Sequence, residues 1–200
     1  MMKMKKEIRL APLAAQVNDE DEARQLVDGY AAVFNQETVI YESEYSGWKY
    51  MEKIDRSAFN SADMSEAVFK YNHKDDALVL ARTSNSTMTL AADDYGLKVS
   101  ADIIDTTAGR DIYKLIRRGD LNKMSFAFTV KSEEVQQDKE NRIYLRNITA
   151  FDKIYDVAVV DFPAYDGTSI QARSREYFAA VEEQLKQAER RRRLILLSYL

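Results

Sequence analysis

A single histidine, His73, and the absence of cysteine limit the chemistry that this chain of 200 residues can carry. Without cysteine, a thiol nucleophile, a disulfide framework and a thiolate site for zinc or an iron–sulfur cluster are excluded. With one histidine, a cage of several imidazoles around a metal is excluded as well, and we predict no metal or other cofactor. Any reaction that needs an imidazole base must use His73. A lone histidine at the end of a short apolar run is, however, more typical of a structural or solvent-exposed residue.

Ser125 is the candidate nucleophile. It lies in Lys123–Lys131, where large apolar side chains alternate with serine, alanine and threonine. This period of two predicts a strand with Ser125 on the face of small side chains, where a substrate backbone has room to approach. The competing interpretation is an ordinary half-buried strand serine. No G-x-S-x-G motif surrounds Ser125, which disfavours an α/β-hydrolase.

An acidic residue is needed to orient the histidine, and three aspartates are candidates. Asp156 interrupts an apolar strand-like run, Asp161 follows that run, and Asp152 precedes it. A carboxylate inside a strand loses solvation unless it has a partner. An imidazole is one such partner, and a lysine, an arginine or backbone amides are the others.

The elements that position these residues are mostly strands. The strand patterns lie at Glu7–Leu10, Leu26–Phe34, Tyr50–Ile54, Val68–Tyr71, Leu78–Arg82, Ser86–Ala91, Leu97–Ile103, Lys123–Lys131, Arg142–Ile148 and Ile154–Val160. Residues 35–47 are polar and predict a long loop. Helical spacing over 106–118, with a threonine cap at its start and Gly119 just past its end, predicts one helix between the strands.

This order predicts an α+β, mostly β fold: a barrel-like antiparallel sheet with surrounding helices and a C-terminal helix. We divide the chain into a loose N-terminal arm (1–25), which includes the edge strand at Glu7–Leu10, a main domain (26–170) and a C-terminal helix (171–200). The last segment ends in a basic cluster followed by apolar residues. An amphipathic helix that needs a partner is the favoured interpretation, a membrane-surface helix and a nucleic-acid tail the weaker ones.

Charge and hydropathy limit the location and partners. The net charge of −4 gives no general attraction to nucleic acid. No apolar stretch is long enough for a membrane span, and no apolar run follows the basic first residues as in a signal peptide. We therefore expect an intracellular protein that does not bind nucleic acid and does not span a membrane.

The ordered set of motifs resembles the prohead maturation proteases of tailed bacteriophages, the HK97-type family. The stretches that carry the resemblance are Tyr30–Phe34, Phe69–Asp75, Leu78–Arg82, Ser86–Leu90, Asp94–Leu97, Gly109–Tyr113, Arg118–Leu121, Met124–Phe128 and Asp156–Tyr165. They span roughly residues 26–170, in the family's order. The resemblance implies a serine peptidase domain similar in fold to the herpesvirus maturation protease.

The resemblance also implies the site. The family's histidine falls on His73, its serine on Ser125, and the acid of its Glu-Val-Ser segment on Asp156. This chain has Asp-Val-Ala there, so the acid is one methylene shorter. The herpesvirus enzymes use a second histidine as the third member, which this chain lacks. Arg117 and Arg118 are candidates for orienting an oxyanion-stabilising water, although at a helix end they also complement the helix dipole.

By this resemblance the chain would be an endopeptidase inside the procapsid, in the host cytoplasm. Its expected substrates are scaffold protein or the scaffold-like segment of the capsid protein, and itself, with residues 171–200 as a docking or self-cleaved segment. A homo-oligomer stays open. Two alternatives remain: a non-catalytic capsid-assembly or scaffold-binding module with the same fold, and an unrelated β-rich binding domain in which Ser125 and His73 are far apart.

Overall fold

The computed structural model describes residues 6–11, 16–17, 24–43, 46–74 and 78–161, together with Glu183, Arg190 and Arg191. Within these residues the chain forms eleven strands and one helix. The strands are β1 (Glu7–Ala11), β2 (Gln16–Val17), β3 (Leu26–Val33), β4 (Thr38–Glu42), β5 (Lys49–Ile54), β6 (Val68–Tyr71), β7 (Ala81–Arg82), β8 (Met88–Ala92), β9 (Gly96–Asp102), β10 (Lys123–Asp138) and β11 (Ile143–Val160). The helix is α1 (Thr107–Arg118).

The strands form two sheets. The seven-stranded sheet has the order β1-β10-β11-β5-β4, and β6 extends it by pairing with β11 and β7. The four-stranded sheet has the order β2-β3-β9-β8. At Gly96 the strands β3 and β9 approach so closely that a Cβ would lie 1.9 Å from the Ala32 carbonyl oxygen. Only glycine fits at this crossing.

A single buried cluster holds the sheets together. It contains Val27 and Val99 from the four-stranded sheet and Phe126 and Phe151 from the seven-stranded sheet, each without exposed surface. The rings of Phe126 and Phe151 pack edge-to-face, with their centroids 5.7 Å apart. Burial of such rings is the main stabilising contribution to strands of this kind.

Helix α1 begins and ends where its sequence predicts. The Thr106 side chain accepts a hydrogen bond from the Gly109 backbone N–H, which satisfies one of the donors that the first turn leaves open. Gly119 has a φ of 88°, and its N–H donates to carbonyls of the last turn. Glycine adopts that left-handed conformation without the steric cost that other residues have there.

The predicted barrel with surrounding helices is wrong. The two sheets are open, ending at β1 and β4 and at β2 and β8, and no strand pairing among the described residues closes either of them. The sheet is also not purely antiparallel, because β11 pairs in parallel with β5 and with β6. In the described part of the chain up to Asp161, α1 is the only helix, because the connections between most successive strands there are turns of a few residues. The predicted C-terminal helix at 171–200 lies outside the described residues except for Glu183, Arg190 and Arg191, which have helical backbone.

The observed strands also differ from the predicted ones, most of all at β4 and β11. The loop expected at 35–47 contains β4, which pairs with β5, and its short apolar run Val39–Tyr41 stands among polar residues. The two strands expected at 142–148 and 154–160 are one continuous strand, β11. The intervening residues Ala150 and Phe151 keep the pairing with β10, which absorbs the mismatch in bulges. No helix in the described part of the chain is long and apolar enough to cross a membrane.

Candidate active site

Three side chains from distant parts of the chain form one hydrogen-bonded series. His73 Nε2 lies 2.7 Å from Ser125 Oγ, and His73 Nδ1 contacts Asp156 Oδ1. Ser125 and Asp156 are almost wholly buried, and the His73 side chain is 9% exposed. The structure therefore brings together all three residues that the resemblance implied. This order, hydroxyl, imidazole and carboxylate, can activate a serine as a nucleophile.

The register of β10 and β11 sets the positions of the serine and the aspartate. Ser125 lies opposite Ala158, and Asp156 lies opposite Ala127. Ser125 and Asp156 are therefore diagonal neighbours on one face of the sheet, with about 7–8 Å between them. That spacing leaves room for an imidazole ring between the two side chains. The alanines beside them leave this face free of bulk.

The histidine is held by a strained turn. Asn72 and His73, which follow β6, both have positive φ, 53° and 54°. For a histidine this conformation costs about 1–2 kcal/mol, so the surroundings must enforce it. The Asn72 N–H donates to the Val159 carbonyl at 3.0 Å, and the Asn72 Oδ1 accepts from the Asp161 N–H at 3.2 Å. Because β6 pairs in parallel with β11, the turn after β6 directs His73 towards Asp156, which lies on β11.

The Asp156 carboxylate is the charged partner of the imidazole. Burial by itself raises its pKa, but the hydrogen bond and charge of His73 and those of Lys6 outweigh burial, so the pKa lies below its usual range. Asp156 is therefore ionised and accepts hydrogen bonds only. We assign a proton to His73 Nδ1 on that basis, so that Nε2, which faces Ser125 Oγ, is the nitrogen that can accept the hydroxyl proton.

The two other candidate acids have different partners. Asp161 accepts a hydrogen bond from the Tyr71 hydroxyl at 3.0 Å and so fixes the turn that carries His73. Asp152 accepts from the Thr129 hydroxyl at 3.3 Å, on the other side of the bulge in β10. Of the three acids, Asp156 is the one that contacts the imidazole.

The two arginines proposed to orient a water lie at the end of α1. Arg118 forms an exposed ion pair with Asp120. Arg117 lines a cavity of about 970 Å³ beside α1, together with Tyr113 and Arg110, and the lining of this cavity does not include His73, Ser125 or Asp156. The hydrogen bonds of Ser125 Oγ go to His73 and to the Arg9 carbonyl. The orienting role of Arg117 and Arg118 stays a prediction.

Strand β1 contributes two contacts that the sequence analysis missed. Leu10 lies opposite Ser125 in the antiparallel pairing of β1 with β10. The Ser125 hydroxyl is 2.8 Å from the Arg9 carbonyl oxygen, and Lys6 Nζ donates to Asp156 Oδ2 at 2.9 Å. The sequence predicts an edge strand at Glu7–Leu10, but it holds no indication of which strand β1 joins.

A cluster of charged residues on the opposite face was also missed. Arg9 forms a two-point contact with Glu52, at 2.6 and 2.7 Å, and donates to Glu7 at 2.8 Å. Arg146 donates to Glu7, Glu52 and Glu133, at 2.6 Å for the closest Glu7 contact. The signal was Glu52 itself, which occupies a buried position between Tyr50 and Ile54 in the alternation of β5. We call these five residues the ion cluster.

Comparison with known proteins identifies the family. The profile described as caudovirus prohead serine protease matches residues 13–184, and this range contains His73, Ser125 and Asp156. No curated protein and no solved structure matches the chain. The expected similarity in fold to the herpesvirus maturation protease stays a prediction. Because the match covers far more than half of the chain, the protein belongs to the caudovirus prohead serine protease family.

Proposed function

We propose that this protein is a serine endopeptidase of phage head maturation in which Ser125 is the nucleophile, His73 the general base and Asp156 the residue that orients the base. The family match supports a prohead serine protease acting in the procapsid. The observation that carries the assignment of residues is the hydrogen-bonded series from Ser125 through His73 to Asp156. Three residues up to 83 positions apart in the chain meet in the order that serine peptide hydrolysis needs.

The first half of the reaction forms an acyl-enzyme. Ser125 Oγ attacks the carbonyl carbon of the scissile peptide bond while its proton passes to His73 Nε2. The resulting imidazolium is stabilised by the Asp156 carboxylate at Nδ1. The carbon–nitrogen bond then breaks, and Nε2 returns the proton to the leaving amine. An ester between Ser125 and the amino-terminal part of the substrate remains.

Hydrolysis of the ester restores the enzyme. Water loses a proton to His73 Nε2 as its oxygen attacks the ester carbonyl, and the proton then returns to Ser125 Oγ as the ester bond breaks. The oxyanion formed in each half needs donors fixed in advance. Backbone N–H groups or a held water, oriented by Arg117 or Arg118, are the candidates for that role.

The proposed substrates are scaffold protein, the scaffold-like segment of the capsid protein, and the chain itself. Self-cleavage would fall within 174–200, in the proposed C-terminal segment. The intact mass of purified protein, followed over days, tests this. A mass that stays at full length in protein with an intact Ser125 contradicts self-cleavage there.

Co-expression with the cognate capsid protein tests the main proposal. We expect shortened capsid protein with the wild-type chain and full-length capsid protein with Ser125→Ala. Ser132→Ala is the matched control, because Ser132 lies on the same strand, is exposed and bonds to Thr149. The control should cleave like wild type. Capsid protein shortened equally with Ser125→Ala, or full length in all three, would contradict the proposal and favour a non-catalytic assembly module.

A further inference from the structure

Strand β10, which carries Ser125, has both of its edges occupied. Beside the site, β11 pairs with one edge and β1 with the other. An extended polypeptide commonly binds a protein by adding a strand to a sheet edge, through main-chain hydrogen bonds. Next to Ser125, the edge opposite β11 is the one such position that does not displace Asp156. The chain's own segment, Glu7–Ala11, lies there.

The contact of β1 with the nucleophile uses the main chain. The Arg9 carbonyl oxygen, 2.8 Å from Ser125 Oγ, belongs to the peptide unit that joins Arg9 to Leu10. Any polypeptide paired in the same register would bring a carbonyl to the same place. The β1 backbone therefore stands where the scissile peptide group of a substrate strand would stand.

This contact also withdraws the hydroxyl from the base. A serine hydroxyl has one hydrogen, and here two acceptors lie within reach of it, His73 Nε2 and the Arg9 carbonyl. When the hydrogen points to Arg9, the imidazole cannot take it. Lys6, which directly precedes β1, donates to Asp156 Oδ2, beside the Oδ1 that His73 contacts, and so ties the start of β1 to the same carboxylate.

We propose that β1 is a built-in competitor of the substrate: residues Glu7–Ala11 occupy the strand position beside Ser125 that an extended polypeptide takes during catalysis, and β1 must leave it before Ser125 can react. This inference rests on the proposed function. It explains why Ser125 has no exposed surface although it stands in the hydrogen-bonded series of a nucleophile.

The ion cluster explains why β1 remains in place. On the face away from Ser125, Glu7 and Arg9 of β1 bind Glu52 of β5 and Arg146 of β11. Arg9 also lies over the Phe128 ring, 5.5 Å from its centroid. A peptide in solution lacks these contacts and the advantage of belonging to the same chain. The resting protein is therefore closed, and weakening the attachment of β1 opens the site.

A reversible covalent lock tests the proposal. Ile8 lies opposite Ala127, so Ile8→Cys/Ala127→Cys places two thiols on directly facing residues, where a disulfide can form. The chain has no other cysteine, so the disulfide is unambiguous. Thr89→Cys/Ser100→Cys, a facing pair in β8 and β9, is the control lock away from the site. Each variant is its own reference in the reduced form.

The readout is covalent labelling by a small fluorophosphonate, followed by intact mass. Ser125 Oγ forms a bond to phosphorus, and fluoride leaves together with the hydroxyl proton. We expect the reduced β1–β10 variant to be labelled and the oxidised form to lose labelling, while the control lock is labelled in both forms. Equal labelling of the reduced and oxidised β1–β10 variant would overturn the proposal that β1 competes with the substrate, and it would leave the proposed function standing. Labelling that is absent from all reduced proteins, or that persists with Ser125→Ala, would overturn the proposed function itself.

A second variant weakens β1 without cysteines. Lys6→Ala removes the ion pair to Asp156, and we expect labelling up to about fivefold faster than wild type. Lys153→Ala is the matched control, since it removes a lysine–aspartate pair of the same 2.9 Å length away from the site. Labelling of Lys6→Ala that is no faster than that of the control would count against the competitor. Release of the residues before Leu10 from wild type but not from Ser125→Ala would also overturn it, because β1 would then be a substrate.

Discussion

Two groups of polar side chains lie on opposite faces of the sheet beside β1, and they differ in whether they can transfer a proton. On one face of the sheet, Ser125, His73 and Asp156 form a series with a single imidazole at its centre. On the other face, the ion cluster joins two guanidinium groups to three carboxylates. Burial does not distinguish them, since the side chains of His73 and Arg146 are both 9% exposed.

The difference lies in the type of group at each centre. The neighbouring carboxylates raise the pKa values of Arg9 and Arg146 further above their usual range against the effect of burial, so neither arginine releases a proton. The ion cluster can therefore anchor strands but cannot transfer protons. An imidazole exchanges its proton near neutral pH and can do both. Four substitutions test this division, from the largest expected effect to the smallest.

Asp156→Asn should have the largest effect on activity. An amide can donate to Nδ1, which favours the wrong tautomer of His73, so we expect kcat to fall by about 10³–10⁴-fold. Cleavage of the capsid protein measures kcat, and urea unfolding measures the stability. A loss of activity that merely follows a loss of folded protein would assign Asp156 to structure alone.

Arg146→Met should act on stability rather than on chemistry. It leaves the buried Glu52 and the partly buried Glu7 and Glu133 short of a partner, and we expect the free energy of unfolding to fall by about 3–5 kcal/mol. Arg24→Met is the control, because the pair of Arg24 with Asp102 is exposed and should contribute less than about 1 kcal/mol. Equal effects in urea unfolding would show that the ion cluster does not anchor the sheet.

Lowering the pH should reduce the stability that the interactions on both faces of the sheet contribute. The pKa of Asp156 lies below its usual value of 3.8 and that of Glu7 below 4.5. In each case the contacting basic side chains lower the pKa by more than burial raises it. A depressed pKa contributes stability that is fully present above the usual value and is lost as the pH falls through the lower, folded value. We therefore expect stability to decrease below about pH 4.5, and Glu7→Gln to flatten the decrease. Urea unfolding between pH 2 and 7 measures it, and an unchanged slope in Glu7→Gln would contradict the assignment.

Tyr71→Phe should have the smallest effect. It removes the hydroxyl that holds Asp161 and the His73 turn, so we expect kcat to fall by up to about tenfold with less than about 1 kcal/mol of lost stability. Tyr30→Phe removes a similar bond, from Tyr30 to Asp93 at 2.6 Å, far from the turn. The two variants should differ in kcat and not in stability. A matching kcat would mean that Asp161 does not position His73.

Local patterns predicted the elements near the site well. The alternation at 123–131 predicted the part of β10 that carries Ser125. Helical spacing between a capping threonine and Gly119 predicted α1. These patterns failed at β4, whose short apolar run Val39–Tyr41 stands in an otherwise polar segment, and at β11, where two apolar runs belong to one strand. The ion cluster was missed because its members are spread over β1, β5, β10 and β11, and all but Glu52, which takes a buried position in the alternation of β5, appear alone as ordinary surface charges.

The sequence by itself determined that only His73 could serve as an imidazole base and that no thiol could be the nucleophile, because composition decides which groups exist. The resemblance proposed Ser125 and Asp156 as its partners. The tertiary structure decided that these groups touch, since their contacts span 52 and 83 residues and depend on the register of β10 with β11 and of β6 with β11. It also decided that β1 covers Ser125, because a strand joins the edge that best completes its hydrogen bonds and buries its side chains, and neither can be evaluated from β1 alone.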